Sequence, residues 1–274
     1  MISKKIRHII FSILFLFIAH PVLSQSSFIV TKTGTNQTMD IAIEHATNIW
    51  SNYLISNIPI KINFIYTNLT AQGPLGVTFS NGSKDFISAP LLSTWYPTSL
   101  CNYMEGYETN SGEFDMDIYI NSSVNYYFGT DGNPNINQYD FITVLLHEIT
   151  HGLGILSLSK IENNKGSFGL LNSSSTAPLS TSFPFPILEG YPSVIDRLLI
   201  NSLGEYITDT NIFNNNSISL KDQFESNDIY INGPHVNAAN NGTAPKSHAP
   251  YIYESGSSLN HLDENTYPLS SENS

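Results

Sequence analysis

The sequence predicts an α+β fold: a twisted mixed sheet packed against a central active-site helix, followed by a loop-rich C-terminal subdomain. Three observations carry the prediction. Two segments alternate apolar and polar residues with period two, three others carry apolar residues at helical spacing, and the rest of the last third has only short apolar runs between Gly, Pro, Ser and Asn. At 274 residues with 41% hydrophobic content, the chain is long enough to bury a sizeable core.

The first 24 residues read as a secretory signal. Lys4, Lys5 and Arg7 precede an apolar run from Ile9 to Ile18, and Val22, Leu23 and Ser24 suit cleavage after Ser24. That run is short for a membrane span, and no later stretch approaches one, so the mature chain is expected to be secreted with no membrane span. Three of the eleven basic residues and none of the 23 acidic ones lie in the signal, which leaves 8 against 23 and a net charge of −15 on the exported part. Such a balance argues against nucleic acid as a partner. Oligomeric state is not legible. Cys101 is the single cysteine, so no intrachain disulfide can form, and its setting between Leu100 and Tyr103 suggests a small apolar filler.

Beyond the signal, Met39 to Tyr53 is expected to be a helix capped by Thr38, with Ile41, Ile43, Ala46, Ile49, Trp50 and Tyr53 at helical spacing. Pro59 to Tyr66 is expected to be a strand, because Ile60, Ile62, Phe64 and Tyr66 alternate with polar Lys61 and Asn63. Phe114 to Asn121 alternates in the same way, Met116, Ile118 and Ile120 against Asp115, Asp117 and Tyr119. Between these strands the chain reads as loop with a short strand around Phe86 to Ala89, and residues 129–135 read as a turn rather than a calcium loop. Further on, Lys160 to Pro186 is expected to wrap the surface, and Ser193 to Leu203 to form a helix through Val194, Ile195, Leu198 and Leu199.

The densest chemistry lies in His147-Glu148-Ile149-Thr150-His151. Asp140 can cap a helix here, Phe141, Val144, Leu145, Ile149 and Leu153 form its apolar stripe, and Gly152 and Gly154 end it. Histidines four residues apart on one helix present both imidazoles to a single ion, with the Glu148 carboxylate beside them as a general base. One more ligand gives three protein groups and leaves the fourth position for water, which is the arrangement of catalytic rather than structural zinc.

In the compact form of this pattern the third histidine follows the second by six residues, a position held here by Ser157. The ligand must therefore come from elsewhere: His45, His235, His248 and His261 are available, and Asp196 and Glu205 also qualify chemically. His45 sits on the polar face of the first helix, while His235 and His248 lie in loop-like settings. His261 follows a flexible Gly256-Ser257-Ser258-Leu259-Asn260 approach and precedes Asp263 and Glu264, acidic groups suited to orienting its ring.

The segment from His147 to Gly154, a long insertion, and then Gly256 to Asp263 together resemble the leishmanolysin-type branch of the metzincin metallopeptidases. The resemblance spans most of the mature chain, although only those two segments are specific. It implies a zincin/metzincin-like catalytic domain, with Zn2+ held by His147, His151 and His261 and Glu148 as catalytic acid and base. It implies a secreted zinc endopeptidase acting on protein or peptide, with substrate added to the edge of the Phe114 to Asn121 strand. The subdomains would be 25–157, with the motif helix, and 158–274, with the insertion and third ligand. Metzincins carry a methionine turn beneath the metal, yet no Met follows Met116 here, and the chain is expected to stop before that turn. Leishmanolysin-like enzymes are also disulfide-rich, which this chain cannot be. Two other readings remain open: a gluzincin-like peptidase with Glu205 as third ligand, and a secreted binding protein that keeps the fold without activity.

Overall fold

A computed structural model describes residues 25–169 and 190–267. The expected signal segment and most of the Lys160 to Pro186 stretch lie outside them. Among the described residues no helix is long and apolar enough to cross a membrane.

The N-terminal half is built on a four-stranded sheet. Strand β1 (Phe28–Thr33) leads into helix α1 (Gln37–Tyr53), and strands β2 (Ile60–Thr67) and β3 (Gly76–Ser80) follow. The short pair β4 (Gly82–Ser83) and β5 (Tyr96–Pro97) precedes helix α2 (Thr98–Glu105) and strand β6 (Met116–Asn121). The order across the sheet is β1-β2-β6-β3, with β2 parallel to both β1 and β6, and β3 antiparallel to β6. Period-two alternation decides which side chains face inward. Ile60, Ile62 and Phe64 of β2 and Met116, Ile118 and Ile120 of β6 are all at most 4% exposed, as the sequence pattern predicts.

Helix α3 (Phe141–Gly152) covers that apolar face beside α1. A short pairing of β7 (Tyr126–Tyr127) with β8 (Tyr139–Asp140) brings the chain to its start. Asp140 caps it as expected, its Oδ2 accepting from the Thr143 amide at 2.9 Å and the Thr143 hydroxyl at 2.6 Å. Phe141, Leu145 and Ile149 lie along the buried stripe, Phe141 edge-on to Phe64. Gly154 ends the exit turn at φ +121°, a conformation costly for residues with a Cβ.

The C-terminal half has its own core around Phe168, Ile195, Leu199, Ile207, Leu220, Phe224, Ile229, Ile231, Ala249 and Leu259. Its elements are short: β9 (Ser159–Glu162), β10 (Lys165–Phe168), β11 (Leu199–Ile200), helix α4 (Ile218–Phe224), β12 (Tyr230–Ile231) and helix α5 (Pro234–Ala239). Turns connect them, so this half is as loop-rich as predicted.

Several expectations are corrected. The cap of α1 is Asn36, whose Oδ1 accepts from the Met39 amide at 3.0 Å; Thr38 lies inside the first turn. Phe86 to Ala89 is a turn closed by the Ala89 amide on the Phe86 carbonyl, and the strand of that region is β3. Residues 159–168 form a hairpin in which Asn163 and Asn164 both take positive φ, as the two-residue turn of a twisted hairpin requires, so this part does not merely wrap the surface. The Ser193 to Leu203 helix reduces to a single 3-10 turn, Asp196–Leu198. There the Val194 amide is taken by the Trp95 carbonyl, and the Asp196 carboxylate accepts from the Ser193 amide, so a continuous helical ladder does not form.

One correction bears on substrate access. The Phe114 to Asn121 strand, observed as β6, lies between β2 and β3 and has no free edge. The edge on the α3 side is β3. Alternation reveals which face of a strand is buried, but it carries no information about which neighbours pair with it.

Candidate metal centre

Helix periodicity brings His147 and His151 to one face of α3, where their Nε2 atoms stand 3.0 Å apart. His261 arrives from the far C-terminal half, its Nε2 3.2 Å from that of His147. One ligand nitrogen from each of the three lies within 4.8 Å of the others, and among the described residues this is the group of three or more metal-capable side chains so arranged. The second nitrogens are occupied: His151 Nδ1 meets the Ile155 carbonyl at 2.7 Å, and His261 Nδ1 meets the Ser257 carbonyl at 3.1 Å. A carbonyl accepts, so each Nδ1 carries the proton and each Nε2 is left with its lone pair facing the shared point.

That arrangement fits a cation. Three Nε2 donors around a tetrahedral ion with bonds of about 2.0–2.1 Å would be about 3.3 Å apart, close to what is seen. Burial, together with repulsion from His151 and His261, pushes His147 down to about 4. His151 and His261 are also lowered, burial being the leading cause for both. All three therefore remain neutral and able to ligate at neutral pH. His147 is exposed and the other two are half-buried, so solvent reaches the centre.

Glu148 projects from the same helix turn into a drier place. It is 4% exposed, and burial pushes its carboxyl up to about 7, partly offset by the hydroxyl of Thr78, which donates to Oε2 at 2.7 Å. On the other side, a Cβ added to Gly76 would stand 2.7 Å from Oε1. The edge strand β3 thus clasps the carboxylate from two positions. Neither Gly76 nor Thr78 is evident in the sequence, since each belongs to a short Gly-Val-Thr-Phe-Ser run without metal-ligand chemistry.

The other ligand candidates lie outside this cluster. His45 is exposed on α1, and His235 is exposed on α5 rather than in a loop. His248 turns to Glu254, Nε2 to Oε2 3.1 Å, although its backbone amide donates to the His261 carbonyl. Glu205 sits in the turn after β11, its Oε2 accepting from Asn201 at 2.7 Å, and is not part of the histidine group. Asp196 is fully buried among amide and hydroxyl donors. The acidic residues after His261 do not orient its ring either: Asp263 pairs with Lys246 at 3.0 Å, and the ring's partner is the Ser257 carbonyl. Cys101 is completely buried and its thiol is pushed up to about 12 by burial, which makes it an inert filler. In the 129–135 turn, Asp131 is engaged by the Tyr127 hydroxyl and the Asn133 amide.

A family model described as SPBPB7E8-like matches residues 26–166, just over half of the chain. The chain belongs to the SPBPB7E8-like family. The match takes in the whole four-stranded sheet, α3, His147, Glu148, His151 and Thr78. It ends before His261, so in this SPBPB7E8-like chain the third imidazole comes from beyond the matched region. No curated protein and no solved structure matches the chain.

Proposed function

We propose that the protein is a secreted zinc-dependent endopeptidase of metzincin type, in which His147, His151 and His261 hold the metal and Glu148 is the general base. The observation that carries the reading is the convergence of three imidazoles, two of them with Nδ1 held by a carbonyl and Nε2 left with its lone pair, on the helix that also carries a buried carboxylate. Three neutral imidazoles are a zinc donor set, and a structural site has no use for an acid-base group at its open side.

A bound zinc ion would polarise the scissile carbonyl and lower the pKa of a water toward neutrality. The chain's own residues do the rest. Glu148 takes the proton from that water at its carboxylate and returns it to the nitrogen of the departing amine. Thr78 holds Oε2, which leaves Oε1 for the transfer. The carbonyls of Ile155 and Ser257 hold the two rings in place through their Nδ1 protons. Among the described residues β3 is the outer strand of the sheet on the Glu148 side, and main-chain addition of an extended peptide along it favours protein over a compact small molecule.

The test is the zinc content of the purified secreted protein together with turnover of a generic protein substrate, with and without a chelator. Zinc near one per chain, chelator-sensitive hydrolysis and its loss in Glu148→Ala with zinc retained are expected. Chelator-resistant turnover, or full turnover in Glu148→Ala, would overturn the assignment. Bound zinc without hydrolysis would point instead to a metal-containing binding protein.

A further inference from the structure

His261 is 114 residues from its nearest imidazole partner, so something must hold its loop at the metal centre. The turn that carries it is buried and tightly tied. Leu259 is 1% exposed within the C-terminal core and takes φ +65°, a left-handed conformation that non-glycine residues rarely adopt. The Leu259 amide donates to the His248 carbonyl and the His248 amide to the His261 carbonyl, both at 2.8 Å, which pins the two ends of the turn to one residue of a neighbouring extended segment.

Between them stands Asn260, 7% exposed. Its Nδ2 donates to the carbonyls of Gly256 and Ser258, at 3.3 and 3.2 Å, and its Oδ1 accepts the backbone N–H of Ser157 at 2.6 Å. Both donors of the amide thus brace the turn itself, and its oxygen ties the turn to the segment that leaves α3. Ser157 is the residue at the place where the compact zinc pattern carries its own third histidine. It is fixed in turn by its hydroxyl, which donates to Asp196 Oδ1 at 2.6 Å, while Asp196 Oδ2 accepts the amides of Leu158 at 3.0 Å and Ser193 at 2.8 Å.

We propose that Asn260 is a positioning residue that delivers His261 to the metal centre, by clamping the ligand-bearing turn onto the backbone of Ser157. The position without a ligand has become the anchor for the loop that supplies one from afar. The energetic logic is preorganisation: with the clamp closed, the third imidazole is in place before the ion arrives, and without it the loop must be ordered at the expense of binding. The inference rests on the reading that the three histidines hold a metal.

Zinc affinity, measured by competition with a chromophoric chelator, tests it without any need for hydrolysis. Asn260→Ala is expected to bind zinc about 10–100 times more weakly, the usual effect of losing a group that orients a ligand. Its cobalt(II)-substituted form should show the visible spectrum of His261→Ala rather than that of the wild type. Hydrogen exchange at the Ser157 amide should accelerate in metal-free Asn260→Ala. Leu220→Ala, in the C-terminal core and outside the clamp, should melt at a lower temperature yet keep wild-type affinity for zinc. Unchanged affinity in Asn260→Ala would overturn the clamp, as would an equal loss in Leu220→Ala, which would reveal general destabilisation. A wild-type protein that takes up no zinc would instead overturn the metal reading, and the clamp with it.

Discussion

The hydroxyl of Thr78, on the edge strand, donates a 2.7 Å hydrogen bond to Oε2 of Glu148, on the helix that carries two of the three histidines. Both side chains are buried, so the bond is little screened by water, and it is charge-assisted whenever Glu148 is ionised. It fixes one carboxylate oxygen, while the other lies against Gly76. Thr78→Val should therefore lower kcat by roughly tenfold or more, in line with about 1.5–3 kcal/mol for a hydrogen bond to a charged group. Zinc content should not change, and Thr78→Ser should restore most of the rate. Steady-state kinetics on all three proteins, with metal analysis, check this; an equally active Thr78→Val would show the bond to be only structural.

Gly76 offers a steric counterpart. A methyl group there would stand 2.7–2.8 Å from Oε1, Cγ and Cδ of Glu148, closer than real Cβ contacts, so the carboxylate would have to turn. Gly76→Ala is expected to reduce turnover sharply while the protein still binds zinc. Turnover within a factor of two of the wild type would mean that the Glu148 side chain yields at no cost.

Removal of His261 should be distinguishable from removal of any histidine outside the cluster. His261→Ala should weaken zinc binding by at least tenfold, the order expected for the loss of an orienting group or more, whereas His45→Ala and His235→Ala, at exposed positions, should leave it unchanged. Metal titration of the three variants decides it, and an unaffected His261→Ala would move the third ligand elsewhere.

The contributions of Asp196 and Asp115 to stability should fall as pH rises between about 4 and 6, while those of His147, His151 and His261, lowered on folding, run the other way. Burial raises Asp196 from 3.8 to about 6, and Asp115 likewise, burial being the largest cause for each. In that window the folded state holds protons that the unfolded state has released. The stabilisation is thus full below the unfolded value and lost as pH rises through the folded one. Two units at about 1.4 kcal/mol each give roughly 3 kcal/mol for each group. Urea unfolding of metal-free wild type and Asp196→Asn at pH 4, 5 and 6 isolates the Asp196 contribution: the stability of wild type relative to Asp196→Asn should fall as pH rises. A relative stability that rises across that window would contradict the assignment.

The helix core sets a further expectation. Ile149 is fully buried in the core between the helix and the sheet, one residue from Glu148. Ile149→Ala should cost about 2–5 kcal/mol, read as a lower urea midpoint. An undiminished midpoint would imply that the sheet collapses to fill the space.

The sequence by itself determined the elements whose signal is local. Helix α3 and its Asp140 cap, the alternation of β2 and β6, and the pairing of His147 with His151 on one face all follow from spacing along a few turns, because helix and strand geometry repeats at short range. His261 was legible for its chemistry, as an imidazole in a flexible small-residue segment. Only the tertiary structure decided that it meets the pair, that β3 rather than β6 is the strand edge beside the site, and that Thr78, Gly76, Ser157 and Asn260 surround the centre. Those relations join residues up to 114 positions apart. They depend on sheet order and on backbone groups that every residue type shares, so no spacing or composition along the chain can announce them.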